Sequence, residues 1–203
     1  RHKVRLVQRD LIQREWVFGM LRKELWDWIK TFAVAFVVVV VIRLFLFDNY
    51  VVLGESMEPN FHNRERVIVN KVIYDIREPQ RGEVIVLHAP AGEDYIKRVI
   101  GLPGETVSVV GDQVFINGEP IEEEYIAEEI RKAKERGSTY NKGDYPGGGA
   151  SVTVPENHVF VLGDNRPRSS DSRMIGFIPY EDIVGRAEII YWPLSEFQLV
   201  GKP

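Results

Sequence analysis

The sequence predicts a mainly β protein: an antiparallel, barrel-like or folded-sheet domain behind one N-terminal transmembrane helix. Three observations carry this reading. Thr31 to Phe47 is the most apolar stretch of the chain, with one charge, Arg43, and no Gly or Pro. After Tyr50, short runs rich in Val, Ile and Tyr are punctuated by Gly, Pro, Asn and Asp, as strands and turns are. Those runs recur at regular spacing without a helix between each pair, which argues against a βαβ order. At 203 residues, 44% apolar and 28% charged, the chain is neither collagen-like, nor a disulfide scaffold, nor wholly disordered.

The first element is a basic head, residues 1–28. Up to Lys30 the chain holds eight Lys/Arg against four Asp/Glu. Apolar residues at 7, 11, 12, 18, 21 and 25 fit a helix irregularly, so a helix along the inner membrane surface and a disordered tail both stand. The transmembrane helix is assigned to 29–47. The seventeen residues from Thr31 to Phe47 reach about 25 Å at helical rise, short of a ~30 Å hydrocarbon core. Ile29 and the flanking Trp26, Trp28 and Tyr50 extend the span, and Arg43 snorkels to an interface. A buried core helix or strand is the alternative; a removed signal peptide fits poorly, because no small-residue cleavage pattern follows Phe47. Native residues are expected before Arg1, since the chain opens without methionine.

Basic residues before the span and acidic ones after it (Asp48, Glu55, Glu58) put the head in the cytoplasm and residues 48–203 outside. The body carries seventeen Lys/Arg against twenty-six Asp/Glu, which argues against a nucleic-acid partner, while the basic head suits a lipid bilayer. There is no cysteine, which excludes thiol nucleophiles, disulfides and cysteine-based zinc sites.

Strands are predicted at 50–53, 66–71, 84–88, 95–101, 106–110, 113–116, 158–162 and 185–191. Val110 to Gln113 and Ile116 to Glu119 read as hairpin turns, the second through Asn117-Gly118. Residues 120–150 break the texture. A charged, helix-prone segment from Glu122 to Arg136 and a Gly-rich run from Gly137 to Gly149 predict a solvated helix and surface loop inserted in the body.

Three stretches stand out chemically. Gly54-Glu55-Ser56-Met57-Glu58-Pro59 is a turn directly after a strand, and by itself reads equally as plain structure. In Tyr95 to Glu105, strand alternation sets Lys97 on one face with Tyr95 and Val99. Burial there would lower the lysine pKa towards a general base, although a strand lysine commonly snorkels or is ion-paired instead. Gly163 to Arg173 packs three serines, two aspartates and three arginines behind an apolar run. It reads as solvated surface, as a Ca²⁺ site through Asp164, Asn165 and Asp171, or, best, as an ion-pair network on Asp171 and Arg173.

Together these stretches resemble the type I signal peptidases, the membrane-bound serine proteases that remove secretory signal peptides. Gly54 to Pro59 is similar to the family's Gly-x-Ser-Met-x-Pro, Lys97 to Gly104 to its lysine motif, and Gly163 to Arg173 to its Gly-Asp-Asn-x₃-Ser-x-Asp-Ser-Arg. Arg81-Gly82-Glu83-Val84 resembles the remaining box. The resemblance implies Ser56 as nucleophile and Lys97 as general base, with Ser169 hydrogen-bonded to the lysine amine and Asp171 and Arg173 holding the loop. It implies a substrate cut after small residues, Ala-x-Ala, and bound as an extended strand near Tyr95, with no metal or organic cofactor. Gly54 stands where some members carry a second oxyanion donor on serine, so the chain resembles the Gram-positive-type branch and that donor stays open. Asn60 replaces the usual threonine, and His2, His62, His88 and His158 fall outside the motifs. A monomer is expected.

Two other functions compete. Self-cleaving repressors share a Ser/Lys dyad but are soluble with a DNA-binding head, against which the apolar span and acidic body count. A membrane-tethered β-domain that binds a partner would use the same serine and lysine structurally.

Overall fold

The computed structural model describes residues 2–42, 46–141 and 143–201. The chain divides into two units, the second beginning at Leu46. Among the described residues the first unit contains one helix, α1 (His2–Val41), so the backbone of the head from His2 is helical rather than a disordered tail. In its later turns Leu25, Trp26, Trp28, Phe32, Val34 and Phe36 are exposed.

The predicted transmembrane helix over 29–47 is not found as such. The helix stops at Val41, residues 43–45, including Arg43, lie outside the described residues, and Phe47 opens a strand. Among the described residues no helix is long and apolar enough to cross a membrane. The physical reason is composition. The last five turns of α1 still contain Glu24, Asp27 and Lys30, and the uncharged run Thr31–Val41 spans only about 16 Å at helical rise.

The second unit contains, in chain order, β1 (Phe47–Val51), β2 (Arg66–Asn70), α2 (Ile73–Ile76), β3 (Val84–His88), β4 (Asp94–Gly101), β5 (Thr106–Val110), β6 (Gln113–Ile116) and β7 (Glu119–Pro120). These are followed by α3 (Ala127–Glu135), β8 (Val152–Thr153), β9 (His158–Leu162), α4 (Ser172–Ile175), β10 (Ile178–Pro179), β11 (Ile183–Trp192) and β12 (Gln198–Leu199). One sheet runs β1-β2-β11-β3-β4-β9-β10 with β12 on β11, and a smaller one runs β7-β6-β5-β8, antiparallel throughout. The large sheet does not close, so of the two predicted architectures the folded sheet stands and the barrel falls. Its last strand is two residues long, and Pro179 has no N–H to offer a further neighbour.

β3 explains why the sheet is covered on both sides. Its run Val84–Leu87 is buried throughout: Ile85 and Leu87 pack with Val99, Val159 and Val161, whereas Val84 packs with Met57, Phe61 and Val67. Met57 and Phe61 therefore plug the turn that carries Ser56 into the sheet. β4 pairs with β3 from Asp94 to Arg98 but with β9 only from Arg98 onward, leaving the second edge of residues 94–97 unpaired among the described strands. The β6–β7 turn forms as predicted, with Asn117 and Gly118 both at positive φ.

The insertion is less solvated than its composition predicts. Tyr140 and Asn141 are buried, and Asp112 Oδ1 accepts both of their backbone N–H groups, at 2.6 and 3.0 Å. Ile126, Ala133 and Tyr140 make a small core of their own beneath α3.

Candidate active site

Ser56 and Lys97 come together although forty-one positions separate them. Lys97 is 2% exposed on β4, and its Nζ donates to Ser56 Oγ at 2.9 Å and to the Ile96 carbonyl at 2.8 Å. The amine also lies 5.0 Å from the centre of the Tyr95 ring, the neighbour that strand alternation predicted. Burial pushes the Lys97 pKa down to about 8, overcoming the carboxylates of Asp171 and Asp164, which pull it up. An amine so placed is neutral in a substantial fraction of molecules at mildly alkaline pH, and its lone pair is then within reach of the serine proton.

The serine turn is held from behind by the loop after β9. Asn165 donates its backbone N–H to the Ser56 carbonyl at 3.0 Å and its side-chain amide to the Glu55 carbonyl at 2.9 Å. Gly54 takes φ of +92°, a region that favours glycine, and its N–H donates to Asn63 Oδ1. At Gly163 a Cβ would stand 2.2 Å from Ser169 Oγ and 2.5 Å from the Ser56 carbonyl oxygen, so only glycine lets the two segments approach this closely.

Asp171 and Arg173 do hold that loop. Asp171, fully buried, accepts from the Gly163 N–H at 3.0 Å and from Arg173 Nε and Nη2, both at 2.8 Å, and caps α4 through the Arg173 N–H. Arg173 Nη2 donates in turn to the Arg166 carbonyl. Ser169 differs from the implied arrangement. Its Oγ is buried against Gly163 but has no hydrogen-bond partner among the described residues, while Lys97 Nζ donates to Ser56 and Ile96. The Asp164 and Asp171 carboxylates are occupied by cations and amides, and among the described residues no group of His, Asp and Glu gathers to hold a metal. His62, His88 and His158 bond to Glu65, Asp94 and the Glu156 carbonyl; the His2 side chain lies outside the described residues.

Several supporting residues escape a reading of the sequence. Arg98 makes a bidentate, buried pair with Asp164, at 2.8 and 2.6 Å, and stacks 4.0 Å from the Tyr125 ring. Asn60 donates to the same Asp164 carboxylate and to the Tyr125 carbonyl, so the residue that replaces threonine ties the serine turn to the loop. Arg166, 0% exposed, pairs with Glu123 and also reaches Tyr125, Asn141 and the Gly163 carbonyl. The alternation that turns Lys97 towards Ser56 must turn Arg98 the other way; that was the one available signal, and Asp164 was its unassigned counter-charge.

A cleft of about 580 Å³ opens over the pair, between residues 50–56 and 93–97, with Arg168 and Ser170 at its Ser56 end. Val51, Val52, Leu53, Val67, Val86 and Ile96 make its lining mostly apolar. The arrangement suits acyl transfer to a serine by a lysine base on a chain lying extended along the unpaired edge of β4.

The chain is similar to known proteins of one family. The pattern of one family, "Signal peptidase, peptidase S26", matches residues 25–192. A "Signal peptidase I" of Bacillus amyloliquefaciens is 43% identical over 173 residues, covering 85% of this chain and 90% of that protein. A "Signal peptidase I S" of Bacillus subtilis strain 168 is 41% identical over 180 residues, covering 87% and 94%. A solved signal peptidase I from Enterococcus faecalis V583 is 38% identical, with a TM-score of 0.48, over 54% of this chain and 97% of that one.

Proposed function

The chain belongs to the signal peptidase family, peptidase S26, and from that premise we propose that it is a membrane-anchored serine endopeptidase removing N-terminal signal peptides from exported preproteins. The single observation that carries the chemistry is the 2.9 Å contact between a buried amine and Ser56 Oγ. In the proposed reaction neutral Lys97 takes the Ser56 proton as Oγ bonds to the scissile carbonyl carbon, and the carbonyl electron pair moves onto oxygen. The C–N bond then breaks, and the Lys97 ammonium returns its proton to the departing amine, the new N-terminus of the mature protein. Water, deprotonated by the same lysine, releases the signal peptide from Ser56.

The Ile96 carbonyl orients the amine throughout. Ser56 N–H is the proposed oxyanion donor; Gly54 has no hydroxyl, and its own N–H is already taken by Asn63. Asp171 and Arg173 keep the loop behind Gly163 in place, and Ser169 fills the space beside it. The apolar cleft accepts small residues of an Ala-x-Ala pattern on a strand added to the edge of β4. No step calls for a metal or organic cofactor, and one monomer supplies every group named.

A pH profile tests the base. Because the Lys97 pKa is lowered, the active form grows as pH rises: at pH 7 about a tenth of the amine is neutral, against a few in ten thousand for an ordinary lysine. kcat/KM should rise tenfold per unit below about pH 8 and level off above it. An acidic limb centred near 10 would mean a solvated lysine and remove Lys97 from this role.

Membrane anchoring is proposed for the apolar segment that starts at residue 29 and ends before β1, with the head 1–28 cytoplasmic and the second unit extracytoplasmic. Support comes from the exposed Trp, Phe and Val side chains on α1, apolar surface that a bilayer would cover, and from the charge asymmetry on either side. Protease added outside spheroplasts should cut the loop at 137–149 and spare the head; the opposite pattern would reverse the orientation.

A further inference from the structure

A second cleft, also about 580 Å³, begins where the first ends. The same two segments wall both. Gly54, Glu55 and Ser56 line the first cleft and Glu58 and Pro59 the second, while Arg168 lines both and Asn165 and Pro167 continue into the second. Its far wall is the insertion, through Glu129, Ala133, Arg136 and residues 138–140. On the proposed reading, a chain attacked at Ser56 has one arm in the apolar cleft, and its other arm leaves past the serine turn, where this second cleft lies.

The two clefts differ in chemistry. The first is lined largely by aliphatic side chains, whereas the second presents charges, hydroxyls and amides. Its charges are not equivalent. Glu129 is held by Lys132 at 2.7 Å, and Arg168 pairs with Glu55. Glu58 and Arg136 have no ion pair among the described residues, Glu58 two positions from Ser56 and Arg136 on the insertion wall. The floor is rigidly coupled to the serine, because Asn165 holds both the Ser56 and Glu55 carbonyls and the Tyr140 hydroxyl donates to the Asp164 carbonyl.

We propose that this cleft binds the first residues of the preprotein after the cut, a polar extended segment, and that Arg136 favours an acidic side chain a few residues downstream of the scissile bond. Glu58, nearer the serine, disfavours an acid directly after the cut. The insertion is thus a reader of the departing chain rather than a bystander. Arg136 is exposed, so the preference is modest, about two- to fivefold in kcat/KM, and weakens with salt.

The test uses the full chain in detergent and two preproteins identical except at the third and fourth positions after the cut, Glu-Glu in one and Lys-Lys in the other. The wild type should favour the acidic substrate, and Arg136→Glu should invert the ratio. Arg131→Glu, on the helix that Arg136 follows but paired with Glu128 and Glu135 and outside the cleft, should keep the wild-type ratio. A ratio of one in the wild type, or equal inversion by both variants, overturns the proposal while leaving signal-peptide removal standing. Failure of the wild type to cut either substrate overturns the proposal and the function on which it rests.

Discussion

Lys97→Ala should abolish preprotein cleavage, with kcat/KM lower by about 10⁴-fold or more, and Ser56→Ala should do the same. Each removes one half of the proposed catalytic unit, so the double variant should be no worse than either alone. The residual rate comes from binding and the oxyanion donor. Ser56→Ala removes only one oxygen atom from a half-buried turn anchored by Met57 and Phe61, and the fold should survive it. Lys97→Ala also empties space in a packed interior, and for that reason Lys97→Met is the companion: it keeps the apolar stem and loses only the amine. Far-UV circular dichroism and urea midpoints should separate lost folding from lost chemistry. A tenth of wild-type activity in either lysine variant would sink the base assignment.

The largest loss of stability is expected at Asp164. Its carboxylate holds Arg98 by two hydrogen bonds and accepts a third from Asn60, all within the interior. Asp164→Ala leaves the Arg98 guanidinium, 4% exposed, without its counter-charge, a change that costs about 3–5 kcal/mol. Set against a total stability of about 5–15 kcal/mol for a domain, this should move the urea midpoint of the second unit far down. Arg168→Ala provides the contrast. Its pair with Glu55 is exposed on both sides and should contribute less than about 1 kcal/mol. Equal midpoints for the two variants would contradict the weight placed on the buried pair.

How much of this was legible in the chain depended on whether the information was local. The strands at 84–88, 106–110, 113–116 and 158–162 have the predicted ends, because short, mostly apolar runs lie there within a residue or two of Gly, Asp, Asn or Pro. Phe47 could not be assigned locally: an apolar residue after an apolar helix looks alike whether the helix continues or a strand begins, and pairing with Asn70 decides it. The two-residue strands β7, β8, β10 and β12 exist only because a longer neighbour lies alongside. Sheet closure likewise depends on which distant strands meet. At the site, Ser56 and Lys97 were visible through their motifs, and alternation correctly gave Tyr95 as company for the lysine. The unpartnered Ser169 hydroxyl and the buried Tyr140 and Asn141 were not. Composition marks a Gly-rich polar loop as surface, whereas tertiary bonds to Asp112, Gly111, Asp164 and Arg166 draw it inward.

The pairing of β3 with β4 sets Ile85 opposite Lys97 and Val84 opposite Arg98, two adjacent cations with opposite fates. Sliding one strand by a single residue would turn each side chain to the other face. Arginine would then confront the serine, and since a guanidinium does not give up its proton at any physiological pH, nothing there could accept one. Lysine would meet Asp164 and be locked in its charged form. Under the proposed mechanism, strand alignment is therefore a chemical specification as much as a packing one: a misaligned molecule could retain most of its sheet and still lack the proposed base.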